Sequence, residues 1–158
     1  MPNNPYNKDF IVTWNEFHRD ARALAWKLLD IKKFKGVVCI TRGGMAAAQI
    51  IARELDIRWI DTICISTYDE QNIRKPQILK MPEGDGEDLL VIDDLVDTGT
   101  TLKIVKEHLP KAYIATVYAK PEGKPLVNSY ITEVSQNTWI RFPWDTELNY
   151  STPLIDRK

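Results

Sequence analysis

An α/β fold, with a parallel central sheet flanked by helices on both faces, is predicted by three features of this sequence. Short continuous apolar runs alternate with helical periodicities, the pattern of strands buried on both faces and joined by helices. The runs are rich in β-branched residues, as in Val37-Val38-Cys39-Ile40-Thr41 and Leu89-Leu90-Val91-Ile92. The residues capable of chemistry follow such runs, where ligands bind in open α/β sheets: Arg42-Gly43-Gly44 after one, Asp93 to Thr101 after another, Lys120 after a third.

Taken in order, Thr13-Trp14-Asn15-Glu16 fits a capping box, with Thr13 as N-cap and Glu16 three residues on. Phe17, Ala21, Leu24, Ala25, Leu28 and Leu29 then recur at helical spacing, which predicts a helix from Trp14 to about Leu29. Gly36 then punctuates the chain, and a short buried strand follows at 37–41. Met45 to Leu55, rich in alanine, reads as a second helix, and Trp59 to Thr67 as a strand. From Tyr68 to Glu87 the pattern dissolves into polar residues broken by Pro76, Pro82, Gly84 and Gly86, the signature of a long surface loop. Leu89 to Ile92 forms the next strand, followed by an acidic, glycine-bearing turn and a helix to about Leu109, then a strand from Lys111 to Ala119 and strand-like Tyr130 to Val134.

With 158 residues, 44% hydrophobic and 27% charged, the chain is expected to build a single domain around one core. Its formal net charge of -1 argues against a nucleic-acid partner, which calls for a basic surplus. Cys39 and Cys64 lie in apolar runs at a spacing that fits neither a zinc site nor a disulfide framework, and are expected to be buried reduced thiols. The first nine residues lack the apolar stretch of a signal peptide, and no window reaches transmembrane length, so a soluble cytoplasmic protein is expected.

The chemistry centres on Asp93-Asp94-Leu95-Val96-Asp97-Thr98-Gly99-Thr100-Thr101. A helix N-terminus offers unpaired N–H groups and the positive end of the helix dipole, which together attract anions. Thr98, Thr100 and Thr101 add hydroxyls, and Gly99 lets the backbone approach a phosphate closely. Carboxylates beside such a cradle suit a ligand that also carries ribose hydroxyls and a magnesium ion.

This segment resembles the fingerprint by which the type I phosphoribosyltransferases bind phosphoribosyl pyrophosphate (PRPP). Thr41-Arg42-Gly43-Gly44 is similar to the pyrophosphate loop of the family's xanthine-guanine branch, and Ser66-Thr67-Tyr68-Asp69 with Arg74 to its flexible loop. Tyr118-Ala119-Lys120-Pro121, Thr138-Trp139-Ile140 and Pro143-Trp144-Asp145 are similar to its purine-binding elements. The match runs from about Ile11 to Pro153. It implies the type I fold, with a core over about 11–120 and a small purine-binding hood mainly at 121–153. The implied activity is purine salvage: Mg2+-dependent transfer of phosphoribose from PRPP to guanine, xanthine and, more weakly, hypoxanthine. Asp93 and Asp94 would hold the ribose 2′ and 3′ hydroxyls, with Asp94 oriented toward Mg2+. Asp97 would exchange a proton with N7 of the purine. The PRPP site would run from Asp93 through Leu95 and Val96 to the 5′-phosphate cradle at Thr98, Gly99, Thr100 and Thr101. Arg42 and the Gly43 amide would hold pyrophosphate beside a cis peptide at Thr41-Arg42, and Arg74 would reach it when the loop closes. Lys120 would donate to O6, Trp139 would stack on the ring, and Ile140 would contact the exocyclic group through its backbone. The resemblance further implies a homotetramer and, by family analogy alone, peripheral association with the inner membrane. Thr100 departs from the pattern, which has a second glycine there.

Plainer readings stand beside these. Arg42-Gly43-Gly44 alone is an ordinary strand-to-helix turn, and Lys120 alone a surface lysine. Trp14, Trp26 and Trp59 read as packing residues, and His18 and His108 as surface or cap residues on helices. A receiver domain also pairs acids after a strand with a later lysine, but it needs a phosphoacceptor aspartate ending an intervening strand; Lys120 follows the very next one. A non-catalytic PRPP-fold regulator that binds nucleotides would keep the fingerprint but lack a purine pocket, against Trp139 and Lys120.

Overall fold

The structure, a computed structural model, describes residues 7–66, 75–145 and 153–157. The elements run β1 (Lys8–Ile11), α1 (Trp14–Leu29), β2 (Gly36–Ile40), α2 (Met45–Glu54), β3 (Ile60–Ser66), β4 (Gln77–Lys80), β5 (Leu89–Val96), α3 (Thr100–His108), β6 (Tyr113–Ala119), β7 (Thr132–Glu133) and β8 (Thr138–Arg141). A six-stranded sheet has the order β4-β3-β2-β5-β6-β7, and β1 pairs with β8 in a separate two-stranded sheet. Every pairing in the larger sheet is parallel except β3 with the edge strand β4.

The buried strands distribute their side chains by simple alternation. Val37 and Cys39 of β2, Leu90 and Ile92 of β5, and Ala115 and Val117 of β6 enter one core with Phe17, Leu24 and Leu28 of α1 and Ala48 and Ile51 of α2. Val38 and Ile40, Val91, and Ile114 face the other way, onto Leu102, Val105 and Leu109 of the α3 side. Strands with two buried faces must read as continuous apolar runs, and these do. The N-terminus of α1 is held as its sequence predicts: the Glu16 N–H donates to Thr13 Oγ1 at 3.2 Å, and the Thr13 N–H donates to Glu16 Oε2 at 2.8 Å.

Several expectations need correction. Within the stretch read as an unstructured loop, residues 77–80 form β4, an antiparallel edge strand whose Lys80 pairs with Asp61 of β3. The strand expected to stop at Ile92 continues to Val96, because Asp93, Leu95 and Val96 remain paired with β6. Asp93 and Asp94 are therefore strand residues rather than turn residues. The small β1–β8 sheet has no strong alternation in sequence; its register pairs Asp9 with Trp139 and Phe10 with Ile140. Trp14, Trp26 and Trp59 are half or more exposed, Trp26 at 70%, so they do not fill the core of this chain. Cys39 is buried, and burial pushes its thiol up to about 12, but Cys64 is only partly buried.

Going from β2 to β3 the chain moves one way across the sheet, while β5 lies on the other side of β2. The carboxyl ends of β2 and β5 therefore flank the point where strand order reverses, the usual ligand crevice of such folds. Thr13→Ala removes one half of the capping box and is expected to lower unfolding free energy by about 1 kcal/mol in a urea titration.

Candidate functional site

Residues from three strand ends meet at this crevice. After β2, the chain passes through a cis peptide between Thr41 and Arg42. The Thr41 hydroxyl donates to the Ile63 carbonyl at 3.2 Å, tying the loop to β3. Gly43 lies directly against β5: a Cβ there would sit 2.6 Å from Asp94 Oδ2, so no larger residue fits without displacing loop or acid. Arg42 is exposed, and its charge opposes the rise that burial causes in the Asp145 carboxyl.

Asp93 and Asp94 occupy the last turn of pleat before the crevice. Asp93 Oδ1 accepts from the Asp94 N–H at 2.8 Å, and Asp94 Oδ1 from the Leu95 N–H at 2.7 Å. Burial, and then the neighbouring Asp94 charge, push the Asp93 carboxyl well above the usual carboxylate range. Burial also raises Asp94, to about 6, against the lowering effect of hydrogen bonds from Asp93 and the Leu95 N–H. Two adjacent hard oxygen donors whose negative charge is unfavourable as they stand suit an incoming cation and hydroxyl donors. Among the described residues no cluster of three or more metal-ligating side chains exists. The Asp93–Asp94 pair offers the one or two carboxylates that Mg2+ usually takes, its shell otherwise completed by substrate oxygens and water.

Beyond Val96 the chain turns into α3. Gly99 caps the helix in the left-handed region, with φ 88°, and a Cβ there would collide with Leu126. Gly99 has no side chain with which to cap this N-terminus, where the first N–H groups of a helix lack intrahelical partners. Thr98 and Thr100 are exposed beside it, their hydroxyls 3.2 Å apart, with Thr101 partly buried one residue further on. Thr100 takes the first helical position, for which threonine is adequate.

Lys120 ends β6. It is 1% exposed, and its Nζ donates to Asp97 Oδ2 at 3.0 Å. The Lys120 N–H donates to the Val96 carbonyl at 2.9 Å, which brings the two strand ends together. Gln136 Nε2 donates to the other oxygen, Asp97 Oδ1, at 2.7 Å. Trp139 projects outward from β8 and is 42% exposed, whereas Ile140 turns its side chain into the core and has only its backbone to offer.

The structure thus gathers Arg42, Gly43, Asp93, Asp94, Asp97, the Thr98–Thr101 turn and Lys120 around the ends of β2, β5 and β6, while Trp139 and Ile140 stand on the neighbouring β8. Leu95 and Val96 lie within β5 and pack into the cores on its two faces. Arg74 lies outside the described residues. Gln136 escaped the sequence reading because a polar residue in a Ser-Gln-Asn turn carries no signal of its own.

A family model for the phosphoribosyl transferase domain matches residues 9–151. The chain is 58% identical over 154 residues to a xanthine-guanine phosphoribosyltransferase of Desulfotalea psychrophila, covering 97% of this chain and 96% of that one. It is 55% identical over 153 residues to the xanthine-guanine phosphoribosyltransferase of Nitratidesulfovibrio vulgaris, covering 96% and 94%. Among solved structures, a purine phosphoribosyltransferase from Pyrococcus horikoshii superposes with a TM-score of 0.78 at 28% identity, covering 91% of this chain and 99% of that one.

Replacing Gly99 by alanine places a Cβ at positive φ and against Leu126. The variant is expected to lose more than about 1 kcal/mol of stability, read from chemical denaturation.

Proposed function

The chain belongs to the phosphoribosyl transferase family, and from that premise we propose that it transfers the 5-phosphoribosyl group of PRPP to N9 of guanine, xanthine and, more weakly, hypoxanthine. The products are GMP, XMP or IMP and pyrophosphate. The observation that carries the choice of base is the pairing of a donor-only cation, Lys120, with the carboxylate of Asp97 at 3.0 Å. A 6-oxopurine presents O6 and N7 side by side on one edge. Lys120 can donate to O6, and Asp97 can face N7. Adenine carries an amino donor where the oxopurine carries O6, and an ammonium group has no acceptor to offer it. Trp139, outward on β8, is suited to stack on the ring.

In the reaction the purine N9 attacks C1′ of the ribose. The N9–C1′ bond forms, the bond from C1′ to the pyrophosphate oxygen breaks, and its electron pair leaves with pyrophosphate. Asp97 takes the proton from N7, so the base reaches the product without a positive charge on its ring. Asp93 and Asp94 orient the ribose hydroxyls, and the α3 N-terminus with Thr98 to Thr101 anchors the 5′-phosphate. Arg42 and the Gly43 amide meet the departing pyrophosphate, where negative charge develops. Asp94, beside Asp93, is the residue suited to hold Mg2+, which when bound neutralises part of that charge. No protein nucleophile is required, since the base supplies it.

The exposed Trp26, Met45 and Trp59 are compatible with the homotetramer the resemblance implies. No helix of the described residues is long and apolar enough to cross a membrane.

A spectrophotometric assay with PRPP, Mg2+ and each of adenine, hypoxanthine, guanine and xanthine tests the reading. Guanine and xanthine are expected to turn over, adenine to remain inert, and a chelator to abolish the rate. Adenine turnover would contradict the role of Lys120, and bound PRPP without turnover of any base would favour the regulatory reading. Asp97→Asn keeps an oxygen for Lys120 but removes the proton acceptor, and its turnover is expected to fall by roughly 10²–10⁴-fold.

A further inference from the structure

We propose that Gln136 is a positioning residue for the Asp97 carboxylate, an inference that rests on the reading of Asp97 above. The Gln136 side-chain amide lies between two groups of fixed polarity. Its Oε1 accepts from the Glu122 backbone N–H at 3.0 Å, and its Nε2 donates to Asp97 Oδ1 at 2.7 Å. A backbone N–H can only donate and a carboxylate can only accept, so both ends dictate the same amide orientation. Reversing it would set donor against donor and oxygen against oxygen.

A carboxylate gripped at one oxygen can still turn about its last side-chain bond, a broad and roughly two-fold torsion. Lys120 holds Oδ2, and Gln136 supplies the second grip on Oδ1. The two donors come from different parts of the chain: Lys120 ends β6, and Gln136 lies in the turn between β7 and β8. Glu122, whose N–H fixes the amide, belongs to the turn directly after Lys120. Gln136 therefore ties the proton acceptor, the lysine turn and the approach to Trp139 into one unit. With Oδ1 held by Gln136 and Oδ2 by Lys120, the plane of the Asp97 carboxylate is fixed. Small misplacements of a reacting group cost large factors in rate, so an aligned Asp97 bears directly on turnover.

The test uses the full chain, with kcat and KM for guanine and PRPP measured alongside the melting temperature. Gln136→Met keeps the length of the side chain and removes the amide. It is expected to lower kcat/KM for guanine by about 10–100-fold, mostly through kcat, the effect of losing one hydrogen bond to a charged group. KM for PRPP is expected to stay within about twofold, since the contact touches nothing on the phosphate side. Gln136→Glu preserves the acceptor for the Glu122 N–H but sets a carboxylate against Asp97, and is expected to fall further. In an Asp97→Asn background, Gln136→Met is expected to add less than about twofold, because it acts only through Asp97. Parental kcat in folded Gln136→Met, or an equal loss in the Asp97→Asn background, overturns the proposal. Should Gln136→Met fail to fold, parental turnover in Gln136→Glu does the same. Full turnover of Asp97→Asn alone would instead overturn the assignment of Asp97 itself.

Discussion

A lysine ammonium buried to 1% exposure is tolerated only with a counter-charge at hand, and the site of this protein is organised around meeting that demand for Lys120. Asp97 supplies the charge. To do so, the chain after β5 must stay close to the end of β6, and the Lys120 N–H to Val96 carbonyl bond holds it there. From Asp97 the chain must then enter α3 within three residues, which demands the left-handed Gly99 that packs on Leu126. The α3 N-terminus and the Asp97 carboxylate thus take their relative placement from the ion pair that Asp97 makes with the buried Lys120. Removing the Asp97 carboxylate would take a counter-charge away from an ammonium that is itself buried.

The surrounding sheet gives this arrangement its rigidity. β2, β5 and β6 are sandwiched between the α1–α2 core and the α3 core, so their ends project from strands packed on both faces. Groups that need exposure sit just beyond the buried strands: Arg42 past β2, the threonines past Val96. The carboxyl pair occupies the boundary, inside the strand but facing the crevice, and its raised protonation reflects that half-buried position. Gly43 leaves room for the Arg42 loop to press on Asp94, which brings groups of opposite sign within one ligand's reach.

The regular part of the fold was legible in the sequence because its signals are local. A β-branched apolar run such as 37–41 is buried whatever it pairs with, and Thr13 and Glu16 find each other three residues apart. The misreadings came where pairing, not composition, decides. Gln77 to Lys80 looks like loop because an exposed edge strand needs no apolar run, and β5 outlasts its apolar stretch because β6 continues to pair with it. Trp14, Trp26 and Trp59 read as packing residues from their type alone; Trp14 does pack on Trp144, yet all three are half or more exposed, since a tryptophan's exposure depends on what other surface reaches it.

The α/β class, the strand-to-helix turn at 93–101 and most of the residues at the crevice are already written in the sequence, since these follow from periodicity and from residue types clustered within a few positions. Packing of the folded chain makes β2 and β5 neighbours, so that Gly43 meets Asp94, and buries Lys120 against Asp97. It alone brought Gln136, thirty-nine positions away, onto the other oxygen of that carboxylate. The physical reason is that sheet order and hydrogen bonds between distant turns are properties of the folded chain's packing, and no local pattern encodes them.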